Sequence, residues 1–181
     1  MCIDHSMKAK NLFLRNLLQL ESPEGFHWEL INESHTEDII RWRNDPDNLK
    51  LFEEQKSLTE EDQRDFLSRY SFFDRVDLVL CNKCEPVGVF NLKNLSDKAE
   101  FGALIGNKKY RGQGIGLAAK FCLLRFWFNV LGKEEMYTKN RLINDRILAS
   151  NLKLGFKEIG RDENQMILVL SKKDFLKRDL K

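Results

Sequence analysis

Three observations place this chain in the α+β class, with one mixed central sheet of six or seven strands flanked by four helices. Short apolar runs of strand length recur through the chain, three of them in succession. A basic, glycine-rich turn, Tyr110-Arg111-Gly112-Gln113-Gly114-Ile115-Gly116, joins one such run to a long amphipathic helix. The usual parallel-sheet alternatives fail at that turn. Its pattern is RxxGxG rather than GxGxxG and no strand–helix–strand repeat precedes it, which excludes a Rossmann unit. No Gly-Lys-Ser/Thr follows, which excludes a Walker A loop.

The elements follow in order. Asn11 to Leu20 suits a short helix or a strand, and Ser22-Pro23-Glu24-Gly25 ends it as a turn, so residues 1–25 read as an N-terminal extension packed on a single domain of residues 26–181. Phe26 to Ile31 alternates as a first strand. Thr36 to Arg43 is helical, with Ser34 as its N-cap and acids in the first turn, and stops at Asn44-Asp45-Pro46-Asp47-Asn48. Thr59-Glu60-Glu61-Asp62 has the form of a capping box and opens a second helix that turns Phe66, Leu67 and Tyr70 inward. The runs 76–80, 86–92 and 98–105, separated by turn residues, form an antiparallel meander. Leu117 to Leu131 is a helix whose Leu117, Phe121, Leu124 and Phe128 make a core stripe. Met136 to Lys139 is a strand, Asn144 to Leu154 a helix stopped by Gly155-Phe156, Gln165 to Ser171 the last strand, and a basic tail closes the chain.

A chain of 181 residues and 21.3 kDa suits one domain with a substantial core. Lys and Arg number 30 against 28 Asp and Glu, a net charge of +2 that excludes a protein built to coat nucleic acid. No apolar run approaches the roughly 20 residues of a membrane span, and a signal-peptide core is missing, so a cytoplasmic location and no membrane partner are expected. Of Cys2, Cys81, Cys84 and Cys122, the pair Cys81-Asn82-Lys83-Cys84 is a CxxC. No second pair of ligands stands at zinc spacing, and the motif falls between two strands rather than at a helix start, so it reads as a hairpin turn and no metal is expected.

The glycine turn is where chemistry is expected. A helix N-terminus leaves backbone N–H groups unpaired and its dipole favours an anion, and glycines at 112, 114 and 116 remove the Cβ atoms that would hold a ligand away.

This order of elements, with Arg111 to Gly116 in the middle and Asn144 ahead of Lys153-Leu154-Gly155-Phe156, resembles the GCN5-related N-acetyltransferase (GNAT) superfamily over about residues 26–171. The resemblance implies acetyl-CoA as cosubstrate. The turn residues Arg111, Gly112, Gln113, Gly114, Ile115 and Gly116 would hold its pyrophosphate. Leu104, Ile105 and Gly106, on a strand that splays from its neighbour, would present backbone groups to the pantetheine arm, with Asn144 and Asn151 as further contacts. The segment from Gly102 to Arg111 is one residue longer than is common. Asn151 also stands where many members carry a tyrosine that protonates the leaving thiolate. An amide can hydrogen-bond sulfur but is no acid, which leaves Tyr137 or solvent for that step.

Within the superfamily, Ile40-Arg41-Trp42-Arg43-Asn44-Asp45-Pro46 looks like a signature shared by two groups. One acetylates amino groups of nucleotide-linked sugars, as in pseudaminic acid synthesis; the other acetylates N-termini of ribosomal proteins. Glu100-Phe101-Gly102 leans towards the first, so the implied acceptor is the primary amine of a nucleotide sugar, bound by Trp42, Arg43 and Asn44. The implied reaction is direct attack of that amine on the thioester, with Glu100 as base, His27 and His35 as weaker bases, and an N–H of Leu104 or Ile105 facing the developing oxyanion. A protein N-terminal acetyltransferase and a non-catalytic acyl-CoA-binding module are the alternatives, and a homodimer is compatible with each.

Overall fold

The computed structural model of the chain describes residues 5–179; Cys2 lies outside them. Helix α1 (His5–Arg15) leads to strand β1 (His27–Leu30), then α2 (Thr36–Asn44), the single turn α3 (Pro46–Leu49) and α4 (Glu60–Ser68). The meander β2 (Arg75–Asn82), β3 (Glu85–Lys93) and β4 (Glu100–Ile105) follows. Helix α5 (Ile115–Arg125) continues as a π-helical segment, Phe126–Val130, before β5 (Glu135–Arg141), α6 (Asp145–Leu154), β6 (Lys157–Arg161), β7 (Gln165–Ser171) and α7 (Lys172–Asp179). The strands form one mixed sheet in the order β1-β2-β3-β4-β5-β7-β6.

Local chemistry sets these boundaries. Thr59 and Asp62 close the expected capping box on α4. Helix α2 differs slightly from expectation: the box at its entrance is made by Asn32 and His35, not Ser34. Gly155 stops α6 in the left-handed conformation, at φ +97°. The CxxC is the hairpin between β2 and β3, with Lys83 at φ +52°. The four expected helices are α2, α4, α5 and α6, and α1, α3 and α7 are additional. The seventh strand is β6, an exposed edge paired with β7 whose sole branched apolar residue, Ile159, points to solvent.

The two faces of the sheet differ. One carries the main core, where Leu78, Leu80, Phe90, Leu92, Phe101, Met136 and Leu168 pack under Leu123, Leu124 and the π-segment ring of Phe128. Phe13 of α1 enters this core fully buried, its ring edge-on to Phe126 at 5.0 Å. The opposite face, under α2, α3 and α4, is mixed: Val79, Ile39 and Trp42 are buried beside Asp77, His35, Asn48 and Gln63.

Candidate active site

The site begins where the sheet comes apart. Strands β4 and β5 run parallel but share one registered pair, Glu100 with Tyr137. Two bonds reinforce that point: the Tyr137 N–H donates to the Ala99 carbonyl at 2.8 Å, and Thr138 Oγ1 donates to the Phe101 carbonyl at 2.9 Å. Beyond it, Gly102 to Ile105 pair with β3 alone and Thr138 to Arg141 with β7 alone. A wedge opens between the two strands, and the glycine turn stands at its wide end.

That turn has the conformation an anion cradle needs. Gly112 and Gly114 lie at φ +77° and +79°, and Gly114 is the N-cap of α5 with no side chain bonded to the helix start. A Cβ at either glycine would meet nothing within 4 Å, so backbone conformation rather than crowding demands glycine there, and the space above the turn is open. Gly116 differs, because its Cβ would come within 3.1 Å of the Ile105 side chain; here the missing side chain lets α5 approach β4.

The side chains of the motif act differently from the expectation. Arg111 turns onto the strand end: Nε donates to the Ile105 carbonyl at 2.9 Å, and a terminal nitrogen donates to the Gly106 carbonyl at 3.0 Å and to Asn48 Oδ1 at 3.2 Å. It fastens the end of β4 to α3. Gln113 Nε2 donates to the Lys109 carbonyl at 2.6 Å, bracing the turn from outside. What faces the open space is backbone, chiefly around Gly112, Gly114 and Ile115. Asn144 is the N-cap of α6, its Oδ1 accepting from the Ile147 N–H at 3.3 Å.

Trp42, Arg43 and Asn44 separate. The Trp42 ring covers Gly106 so closely that a Cβ there would fall 1.9 Å from it, and Trp42 is 3 % exposed. Asn44 pins the loop before α4 by exchanging two bonds with the backbone of Leu58, at 2.8 and 2.7 Å. Both are packing and fastening groups. Arg43 alone keeps unused donors: its guanidinium lies 4.1 Å from the Phe52 ring, and its buried Nε has no partner among the described residues. Burial first, and the neighbouring Arg75 second, lower its pKa, while Glu54 opposes them.

Glu100 and Tyr137 sit at the narrow end of the wedge. Glu100 Oε1 accepts from Asn94 Nδ2 at 3.3 Å. Tyr137 donates to Glu135, which raises its pKa. Along β5, Glu135, Tyr137 and Lys139 alternate with Met136, Thr138 and Asn140. Asn140 bonds Asn151, so Tyr137 points to the other face of the sheet from Asn151 and is not placed to share its work. Asn151 itself is 1 % exposed, with Nδ2 donating to Asn140 Oδ1 at 2.8 Å and Oδ1 accepting from Lys120 Nζ at 2.9 Å. His35 is buried and bonded to Glu29, which His27 also reaches; His27, Glu29 and Cys81 make a compact cluster on β1 and β2, away from the wedge.

Sequence reasoning passed over Asn48, Asn140, Thr138 and Lys120. For Lys120 a signal existed: it stands three residues after Leu117 and four before Leu124, so a lysine interrupts the apolar stripe of α5.

A half-split mixed sheet with a glycine-led helix start at the split is an arrangement able to take an anionic group beside strand backbone. The sequence profile described as acetyltransferase (GNAT) domain matches residues 29–157, and the chain belongs to that family. No curated protein matches it in sequence. Among solved structures, a domain from Methanocaldococcus jannaschii is 26 % identical at TM-score 0.72, covering 81 % of this chain and 97 % of that one. The spermidine N-acetyltransferase of Vibrio cholerae, in complex with CoA and spermine, has TM-score 0.74 at 15 % identity, covering 85 % and 99 %. The ribosomal L7/L12 α-N-protein acetyltransferase RimL, in complex with CoA, has TM-score 0.71 at 13 % identity, covering 84 % and 97 %. At such identities the last two are likenesses of fold. Among the described residues no helix is long and apolar enough to cross a membrane.

Proposed function

We propose that this enzyme transfers the acetyl group of acetyl-CoA to the primary amine of a nucleotide-linked amino sugar, in a ternary complex. The wedge carries the donor half of this reading. Backbone N–H groups at Gly112 to Gly116 would take the pyrophosphate, and the strand end from Leu104 to Gly106, free of β5, would meet the pantetheine arm and the thioester oxygen. Solved relatives of the same fold hold CoA. Glu100, beside the root of the wedge, is the candidate base for the amine.

Arg43 carries the acceptor half. It is half-buried on α2, forms no ion pair or hydrogen bond among the described residues, and lies near a second guanidinium, Arg75, which is already bonded to Asp77. A cation held this way favours an acceptor bearing phosphate or carboxylate and disfavours a polyamine. The test is CoA release, followed by mass spectrometry, with acetyl-CoA and a panel of UDP- and dTDP-amino sugars, spermidine and peptides with free N-termini. Turnover confined to the nucleotide sugars is expected; turnover confined to spermidine or the peptides would replace this acceptor with another.

A further inference from the structure

One lysine is buried where a lysine needs a reason. Lys120 is 3 % exposed, in α5, and Nζ donates to two oxygens of α6: Asn151 Oδ1 at 2.9 Å and Ser150 Oγ at 3.3 Å. Both are neutral, and no carboxylate pairs with it among the described residues. From Asn151 the polar contacts continue inward. Asn151 Nδ2 donates to Asn140 Oδ1 at 2.8 Å, and Thr138 Oγ1 meets the same oxygen at 3.2 Å while donating to the Phe101 carbonyl at 2.9 Å. That carbonyl marks the point where β4 and β5 part. A polar chain thus runs from α5 to the root of the wedge through an otherwise apolar interior, and Lys120 is its one ionisable member. An ammonium has three N–H donors, and two are engaged.

We propose that Lys120 is the acid that returns a proton to the departing CoA thiolate, with Asn151 holding its amine in place. The acceptor nitrogen attacks the thioester carbonyl carbon, the C–N bond forms, and the C–S bond breaks with its electron pair going to sulfur. The Lys120 ammonium gives its proton to that sulfur, leaving CoA thiol and a neutral amine. The proton shed by the acceptor nitrogen passes to Glu100 and from there to solvent, and Lys120 is recharged from solvent before the next turn.

The electrostatics suit this role. Burial pushes the Lys120 pKa down from 10.5 to about 7, with no charged group among its causes. The groups that face it, Ser150 and Asn151 from α6 and Asn140 and Thr138 behind them on β5, are all neutral. An acid with a pKa near the working pH both carries a proton and releases it readily.

The assignment rests on the acetyl-transfer reading, and the test separates the two. Lys120→Met keeps length and removes the amine, whereas Lys120→Arg keeps a cation that does not deprotonate. CoA binding is measured by calorimetry, and acetyl transfer to hydroxylamine, which needs no acceptor pocket, is followed above the uncatalysed rate across pH. Both variants are expected to bind CoA as the wild type does and to lose about 100-fold or more in kcat, with little change in KM for acetyl-CoA. The wild-type kcat is expected to fall as pH rises through about 7, where Lys120 loses its proton, and in both variants that limb is expected to be gone. A purely structural lysine would move the melting temperature and leave the limb in place. Wild-type kcat with its alkaline limb intact in Lys120→Met overturns the assignment alone. A wild-type chain that binds no CoA, or binds it and accelerates no transfer, overturns the acetyl-transfer reading and the assignment with it.

Discussion

Gly114 meets two demands at once, a left-handed backbone and open space above it, and a substitution can be chosen to offend each. Gly114→Asp places a carboxylate where phosphates are expected and should abolish CoA binding by calorimetry; retained micromolar binding would contradict the pyrophosphate assignment. Gly106→Ala offends differently, since its Cβ would fall inside the Trp42 ring. Displacing that ring should cost about 1–3 kcal/mol in urea unfolding, a loss that Trp42→Leu should partly relieve. Arg111→Met removes donors from the Ile105 and Gly106 carbonyls and from Asn48. It should cost about 1–3 kcal/mol and raise KM for acetyl-CoA through a loosened strand end rather than a lost phosphate contact. The glycine motif was plain in the sequence because spacing and residue type carry it. The direction of Arg111 and the roof over Gly106 were not, because both depend on partners in α2 and α3 that only the folded chain brings alongside.

Among the elements, α1 shows how little local pattern says about burial. Asn11 to Leu20 is ambiguous by periodicity, yet Phe13 is fully enclosed against Phe126. Phe13→Ala should cost about 3–5 kcal/mol by chemical denaturation; a loss below 1 kcal/mol, as at an exposed site, would mean α1 is dispensable. The meander was legible because β2, β3 and β4 each carry strong apolar patterns bounded by turn residues. Strand β6 was not, because its one branched apolar side chain faces water and pairing with β7 alone makes it a strand. The wedge was expected only through family likeness. In the folded chain β4 and β5 share one registered pair, and beyond it β4 pairs with β3 alone and β5 with β7 alone, an arrangement that no local pattern in either strand marks.

Across the whole molecule, Lys120 couples function to stability. Unfolded, its amine holds a proton up to about pH 10.5; folded, it releases it near 7. Between those values the unfolded chain binds more protons, so stability rises with pH, and below 7 the full cost of the buried charge is present. Lys120→Met should therefore be more stable than the wild type, most clearly below pH 7, by up to a few kcal/mol at about 1.4 kcal/mol per pH unit. The advantage should shrink towards pH 10. Melting temperatures of the two proteins across that range check it, and a pH-independent difference would mean that Lys120 holds its proton equally in the folded and unfolded chains, so that burial does not lower its pKa. A gain in stability paired with a loss in turnover is the mark of a group kept for chemistry.

The lone rung between β4 and β5 also has a mechanical meaning. The sheet is two blades, β1 to β4 and β5 to β6, riveted at Glu100 and Tyr137 and otherwise held by the helices packed across them. A molecule lodged between the blades takes the place of the missing rungs, so the donor is a structural member as well as a reactant. Amides of residues 102–105 and 138–141 should exchange together and slow together when CoA binds, while the β2–β3 hairpin, complete without it, should hardly change.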